Sequence, residues 1–493
     1  MVQKPAATHS IRGALALIAV FALILSAGPL FLTPLESGDE TRVAGIAAEM
    51  EFEHEWFLPR LNGKPFLEYP PLAYQLMAVS YKIFGVNTAA ARLPSVLFGA
   101  GGLFLAFLFA LRLGLPVSGA LFTAAVLGTG AQYCGTFGKC TVDMQLAFFI
   151  NLAVCGFYCF TTAPSRRARG AYLLLAALGF LGGIFTKGLL GAALPGAVLG
   201  AWLVYRDLRR QTFSWTDYLA LALCGTAALA GAAFWYIHIH RECGEASGFE
   251  AVVIQNFGRF SGHQGDHVVP FWYYLEKLPM LFQPYLLLLL PGLWYILRRR
   301  HGREECGLML PVIFVLLSFV LLSCAASKRV CYLLMLALPC ALTTAIFVRT
   351  IAERFGGRVP AVLRSARCQA ALLLAAGALC TGGNLIYNEL KESEDVSGLF
   401  AECRSLEAQG IRILLATDAE RTRGAACFYL GHTVPVIDRQ APHPQPGAAH
   451  LYRTRKKPFP DAAAFPDKHY LVSGGPAGSP GTRPNPIKER QHE

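Results

Sequence analysis

Eleven apolar runs punctuate the chain, at about 13–33, 93–112, 116–133, 142–162, 171–186, 188–205, 217–238, 272–297, 307–325, 330–348 and 369–387. About 20 apolar residues cross the hydrocarbon core of a bilayer as a helix, so each run is expected to be a membrane span. The two short runs flanking Lys187 fit that length least well, and the long 272–297 run has room for two more spans, giving about 11–13 in all. The first run exceeds the roughly 7–15-residue core of a signal peptide and is read as an uncleaved span. Basic residues test the count. With eleven spans, Lys4/Arg12, Arg112, Arg166/Arg167/Arg169, Arg206/Arg209/Arg210, Arg298/Arg299/Arg300/Arg303 and the Arg349–Arg367 stretch fall on one side. Positive residues favour the cytoplasm, which places the N-terminus there and the first loop, the 239–271 loop and the C-terminal tail outside.

Between the first two runs, Glu36 to Arg92 concentrates carboxylates: Asp39, Glu40, Glu49, Glu51, Glu53, Glu55 and Glu68. Val43, Ile46, Ala47 and Met50 repeat at helical spacing, as do Leu72, Leu76, Val79 and Ile83 after Pro70-Pro71. Both stretches predict short helices lying on the membrane surface, the second started by its prolines. After about residue 390 the pattern predicts a helix at Val396–Ala408, a strand at 411–416, a short helix near Ala425–Leu430, a strand at 434–438 and a last strand near Tyr470-Leu471-Val472. The expected organisation is a transmembrane domain at 1–389, a small extracytoplasmic α/β domain at 390–475 and a disordered Pro/Gly-rich tail at 476–493.

Composition agrees with a mostly helical polytopic membrane protein: 54% of the 493 residues are hydrophobic and only 15% charged. The net charge of +12 would suggest nucleic acid in a soluble protein, but here the basic residues sit in short clusters between apolar runs, and no nucleic acid is expected. Most of the fourteen Cys residues lie in or beside apolar segments without ligand spacing and read as small core hydrophobes. Cys403 and Cys427 lie in the polar tail, where an oxidising compartment would allow a disulfide.

The residues that could carry chemistry are charged groups at the ends of spans. Asp39-Glu40 follows the first span and opens a helical pattern; Asp39 reads either as a helix N-cap or as a catalytic carboxylate. Arg42, Arg60, Lys64 and Arg92 share that loop and could grip a phosphate or simply snorkel. Lys139 and Asp143 place a base and an acid at the start of the fourth run, Lys187 falls between two short apolar runs, and Lys328-Arg329 stands at the outer end of a later one. Charges near lipid usually face a cavity or one another. The His263-x-x-x-His267 pair lies in a Gly-rich loop with no helix to hold it, which argues against a metal site.

These motifs assemble into a pattern. SGDETR, PRLNGKPFLEYPPLAYQ, ARLPS, FTKGLLGAALPG, QNFGRFSG…PFWYYL and SKR…Y…LALP resemble the ArnT-like branch of the dolichyl-phosphate-mannose protein mannosyltransferase superfamily, over roughly residues 13–350. The resemblance implies a GT-C glycosyltransferase of the cell inner membrane that moves a sugar from a polyprenyl-phosphate carrier to lipid A or another cell-surface acceptor. It implies Asp39 and Glu40 as catalytic residues, with Arg42, Arg259, Lys187 and Lys328 holding the carrier phosphate. Arg60, Glu68, Tyr69 and Asp143 complete the expected pocket. No cofactor is implied, and a divalent metal is left open. The ArnT pattern YFEKPPL stands here as Phe66-Leu67-Glu68-Tyr69-Pro70-Pro71-Leu72, so Tyr69 replaces a lysine, and Asn256 replaces a frequent histidine. A hexose transferred to protein or glycan is the alternative within the superfamily, and a lipid or sugar transporter the alternative outside it.

Overall fold

The computed structural model describes residues 10–36, 38–244, 269–299, 303–354, 366–389, 395–438, 440–441, 443–454, 458–465 and 468–474. It divides into a helical unit (Met1–Pro29, Leu67–Ala73 and Ser95–Asn384) and a mixed unit (Leu30–Phe66, Tyr74–Pro94 and Leu385–Glu493).

Each of the eleven apolar runs forms helix. Eight of the helices among the described residues are long and apolar enough to cross a membrane, from Ile11–Phe31 to Arg367–Tyr387. Val117–Thr129 and Leu286–Arg298 are shorter apolar helices. Leu190–Arg210 carries Arg206, Asp207, Arg209 and Arg210 in its last turns, which shortens its apolar stretch. The 272–297 run is broken into Tyr273–Leu281 and Leu286–Arg298, with Pro284 in the break. Proline has no N–H to continue the ladder and pushes the residue before it out of helical conformation.

Within the helical unit, Asp143–Thr161 and Arg166–Lys187 pack closely because small residues line their seam. A Cβ on Gly156 would strike the Ala176 backbone, and one on Gly179 the Ala153 backbone. Such close approach is how helices associate where lipid offers no hydrophobic gain. The Val330–Arg354 stretch is 78% buried over its most apolar window and Arg367–Tyr387 only 11%, so the first is central and the second peripheral. Basic residues assigned to one side by sequence do meet: Asp217 accepts from both Arg169 (2.8 Å) and Arg206 (2.7 Å).

The mixed unit contains a four-stranded sheet in the order Arg412–Leu415, Ala448–Arg453, His469–Ser473, Ala463–Phe465; the first pair is parallel, the others antiparallel. Helices Ser397–Ala408 and Glu420–Leu430 cover it over a core that includes Leu399, Phe400, Cys403, Ile413, Leu415 and Leu451. The strand expected at 434–438 is reduced to a bridge between Leu415 and Val436, since Pro435 cannot donate to a ladder. Cys403 and Cys427 are buried free thiols, so the disulfide that the tail allowed is not formed.

Both first-loop helices form, as Asp39–Phe52 and Leu72–Phe84. The first is buried on every side from Glu40 to Met50, not along one stripe. A Cβ on its Gly45 would collide with the Gly424 backbone, and one on Gly424 with Arg42, so two glycines set the distance between this helix and Glu420–Leu430. The second helix is turned away from the expected face: Tyr74, Met77, Ala78 and Tyr81 are buried, whereas Val79 and Ile83 are exposed. Aromatic contacts explain the rotation. Tyr81 donates to the Ala44 carbonyl at 3.3 Å and packs on Phe428, and Tyr74 meets Phe66 edge-on.

Asn62-Gly63 forms a two-residue hairpin turn between Arg60–Leu61 and Lys64–Pro65, with φ of +55° and +82°, the conformation for which Asn-Gly is the favoured pair. Glu49 holds the turn by accepting from the Asn62 N–H (2.5 Å) and the Gly63 N–H (2.8 Å). The Asn62 side chain then pairs with both backbone groups of Val434, each at 2.7 Å. Burial raises the Glu49 pKa above the ordinary carboxylate range, against the lowering effect of those two N–H groups.

A carboxyl whose pKa is raised by folding contributes stability at low pH and loses it as pH rises through the raised value. Thermal unfolding of the full chain is expected to show that decline above pH about 4.3, the ordinary Glu value, and Glu49→Gln to flatten it. Glu49→Ala leaves the buried Asn62 N–H and the less buried Gly63 N–H without their acceptor, with an expected loss of about 1–3 kcal/mol. A wild-type pH slope that Glu49→Gln leaves unchanged would contradict this account.

Candidate active site

In the mixed unit, the adjacent acids Asp39 and Glu40 are separated by their environments. Gly38, at φ +133°, precedes the first turn of Asp39–Phe52, and its N–H donates to the Thr41 hydroxyl at 3.2 Å. Asp39 is therefore not the cap. Its side chain is 65% exposed and its Oδ1 accepts from Arg42 Nη2 at 2.9 Å. Arg42 is only 10% exposed and gives Nη1 to Glu420 at 2.9 Å. One guanidinium thus spans two carboxylates, with the Phe66 ring 5.6 Å from its centre.

Glu40 points inward. Arg92 grips it with Nε (3.1 Å) and Nη2 (2.7 Å), and both side chains are 3% exposed. Arg92 also donates to the Thr33 carbonyl and hydroxyl and to the Pro34 carbonyl. Arg60 donates to the Gly63 carbonyl in its own hairpin. Lys64 meets the exposed Asp418 at 3.4 Å, and Arg423 binds the Leu61 carbonyl.

In the helical unit, Asp143 begins one helix and Lys187 ends another. Each charge sits at the helix end whose dipole favours it. Lys187 Nζ lies 2.5 Å from Asp143 Oδ1, between the Tyr69 ring at 5.1 Å and the Tyr332 ring at 4.7 Å. The Lys187 side chain is 4% exposed. The acid expected near Lys139 has Lys187 as its partner instead, a pairing 44 residues apart. Glu68 is half-buried beside Tyr69. Lys328 is buried, donates to the Val269 carbonyl at 3.0 Å, and is pushed below the ordinary lysine range by burial.

Arg259, Asn256, His263 and His267 lie outside the described residues. Among the described residues no group of three His, Cys, Asp or Glu is placed to hold a metal ion. Glu420 and Tyr332 were not singled out by sequence. Glu420 gave no signal, being a surface acid in a tail helix; Tyr332 lies in the SKRVCY motif, where its aromatic ring was readable but its partner was not.

Such an arrangement can present a fixed negative charge at Asp39 and a shielded positive charge at Lys187. A carboxylate held in one direction suits stabilisation of developing positive charge, because nothing has to reorient as the charge forms.

Residues 45–241 match the family described as dolichyl-phosphate-mannose-protein mannosyltransferase. That segment contains Tyr69, Asp143 and Lys187 and begins just after Asp39, Glu40 and Arg42. An undecaprenyl phosphate-alpha-4-amino-4-deoxy-L-arabinose arabinosyl transferase of Pseudomonas aeruginosa is 29% identical over 329 residues, 65% of this chain and 58% of that protein. One of Sodalis glossinidius is 28% identical over 359 residues, 71% of this chain and 62% of its own length. The match thus spans less than two thirds of those relatives. In fold, ArnT from Cupriavidus metallidurans bound to undecaprenyl phosphate superposes with a TM-score of 0.72 at 18% identity, covering 94% of this chain and 98% of that one. The Archaeoglobus fulgidus oligosaccharyltransferase follows at TM-score 0.54 and 14% identity, covering 86% and 62%. With its polytopic helices, a family match over residues 45–241 and the fold it shares with ArnT, the chain is similar to the ArnT-like branch of the dolichyl-phosphate-mannose protein mannosyltransferase superfamily.

Proposed function

We propose that this chain is an inverting membrane glycosyltransferase. It takes a sugar from a polyprenyl-phosphate carrier and gives it to an acceptor on the outer face of the inner membrane, most simply 4-amino-4-deoxy-L-arabinose or a related sugar to lipid A. The observation that carries the reading is the exposed Asp39 carboxylate, fixed by a guanidinium it shares with Glu420, in a chain similar to transferases of that name. In this orientation the N-terminus is cytoplasmic and the C-terminal sheet is extracytoplasmic.

The acceptor oxygen attacks the anomeric carbon while the bond from that carbon to the carrier phosphate breaks, and the polyprenyl phosphate leaves with the electron pair. Asp39 stabilises the positive charge that gathers on the sugar ring. A phosphate acceptor on lipid A is already an anion and needs no base. A hydroxyl acceptor releases a proton, for which Asp39 is the assigned base. Arg42 acts as a positioning residue for Asp39, since its two terminal nitrogens are engaged by carboxylates, and Glu40 acts through Arg92. Arg259, Lys187 and Lys328 are assigned to the carrier phosphate. For Lys187 this requires the incoming anion to share the ammonium with Asp143.

Tyr69 favours a second reading for the sugar and acceptor. It stands where the ArnT pattern carries a lysine and offers a ring to Lys187 instead of a second positive charge. A hexose given to a protein or glycan hydroxyl fits that exchange.

Asp39→Asn, expressed at the wild-type level, is expected to lower transfer about 10²–10³-fold, the effect of losing one fixed electrostatic partner of the transition state. The measurement is mass spectrometry of lipid A and of lipid-linked sugars from the same membranes. A pentose-amine mass on lipid A in the wild type alone supports the first reading. Unchanged lipid A with carrier-linked sugar accumulating in the variant supports the second, and equal pools in both strains would remove Asp39 from the chemistry.

Arg42→Lys keeps the charge but cannot bridge two carboxylates with a planar fork. It is expected to lower kcat by about tenfold or more with little change in donor KM. A change confined to KM would instead assign Arg42 to the donor phosphate.

A further inference from the structure

Two of the cysteines that read from sequence as core hydrophobes meet inside the helical unit. Cys134 lies in the short helix Ala131–Thr136, and Cys380 lies in Ala366–Glu389, one turn before Asn384. Both are free thiols, Cys134 buried and Cys380 half-buried, and their side chains are hydrogen-bonded to each other. Asn384 adds a second link. Its Nδ2 donates to the Cys134 carbonyl and to Cys134 Sγ, each at 3.3 Å. Elsewhere the longer helix is lightly held: Thr381 donates to the Ile24 carbonyl at 3.0 Å, a Cβ on Gly377 would strike Phe21, and only 11% of the most apolar window is buried.

Filling this seam does not require sulfur, because glycine already gives the close fit at Gly377. What two facing thiols add is a bond that can be made and broken. A disulfide brings its sulfurs to about 2 Å, and thiols already in hydrogen-bond contact need only side-chain rotation and a small approach to reach it. The reaction needs an electron acceptor, which a disulfide compound supplies. The thiolate of Cys380, the more accessible of the two, attacks one sulfur of that compound and displaces the other as a thiolate. Cys134, deprotonated in turn, attacks Cys380 Sγ, forms the Cys134–Cys380 bond and displaces the second thiolate. Two protein thiols have then lost two protons and two electrons, and one disulfide compound has become two thiols. In the orientation proposed above this end of both elements is extracytoplasmic, the side on which disulfides persist, although the pairing rests on the contact and not on that orientation.

We propose that Cys134 and Cys380 form a redox-active pair, closed to a disulfide by exchange with a disulfide compound and reopened by thiols, which tethers the least buried of the long apolar helices to Ala131–Thr136. The full chain, purified in non-ionic detergent with its thiols reduced, is treated with glutathione disulfide, quenched in acid, alkylated under denaturing conditions and digested, and its cysteines are mapped by mass spectrometry. A peptide linking Cys134 to Cys380 is expected, and dithiothreitol should remove it. Cys134→Ser should abolish the link and leave glutathione on Cys380. The wild-type map needs no variant, so a poorly folding serine chain does not decide the matter. Oxidised wild type should unfold at a higher temperature than reduced wild type, because the tether restricts the unfolded chain, and Cys380→Ser should show no such rise. Cys134 and Cys380 both alkylated after oxidation, a different partner for either, or a linked pair without the rise would overturn the proposal.

Discussion

The mixed unit depends on the buried pair of Glu40 and Arg92. Two charges withdrawn from water cost several kcal/mol each, and their attraction offsets this only when the remaining donors and acceptors are also met. Here they are. Arg92 binds Glu40 through two nitrogens and closes on the Thr33 and Pro34 carbonyls, while Glu40 also accepts the Glu36 N–H at 2.9 Å. The pair therefore fixes the chain between the first helix and Asp39–Phe52 to the start of Thr88–Arg112. It also decides what Asp39 can do. Neighbouring residues on a helix point about 100° apart, so a Glu40 locked inward leaves Asp39 turned toward solvent, where Arg42 and Glu420 fix its direction.

Much of this was legible in the sequence, and the rest was hidden for identifiable reasons. The apolar runs gave the helices because a bilayer demands a continuous apolar length; the 272–297 run, read as long enough to hold more than one element, is divided at Pro284 into two shorter helices. The rotation of Leu72–Phe84 was missed because the stripe was drawn from aliphatic residues, whereas Tyr74 and Tyr81 supply the packing. Asn62-Gly63 is a strong hairpin signal and was passed over inside an acidic loop; its capture by Glu49 could not be read, since that needs a helix 13 residues earlier to lie beneath it. Strand Ala448–Arg453 escaped notice because it is buried on nearly every residue and shows no alternation. At the site, Asp39, Glu40, Lys187 and Asp143 could be named from their positions beside spans. Which acid faces outward, and which base meets which acid, depends on contacts 44 to 378 residues apart.

The charged groups share one placement. Asp39 and Asp143 open helices, whereas Lys187, Arg112 and Arg354 end them. A helix offers partial positive charge at its start and partial negative charge at its end, an effect confined to the first and last turn. In a protein whose middle must be apolar, the ends of spans are where an ion is least costly. In the helical unit, the acid and base assigned to chemistry, Asp143 and Lys187, are confined in this way to helix ends.

That confinement bears on the proposed transfer. A polyprenyl-phosphate sugar presents its phosphate and sugar at the headgroup level and its chain to the lipid, which is the depth at which a charged helix end is least costly. Lys187 illustrates the constraint that follows. An unpaired ammonium between two tyrosine rings at 4% exposure would be costly to bury, and Asp143 neutralises it. A donor phosphate arriving there would find a cation already fixed in direction, with the rings excluding water and strengthening each charge interaction. In the proposed transfer Asp143 would stay as a negative charge beside the leaving group and so favour release of the polyprenyl phosphate once its sugar has gone. An acid that stabilises the resting pair would in this way also limit how tightly the product is held.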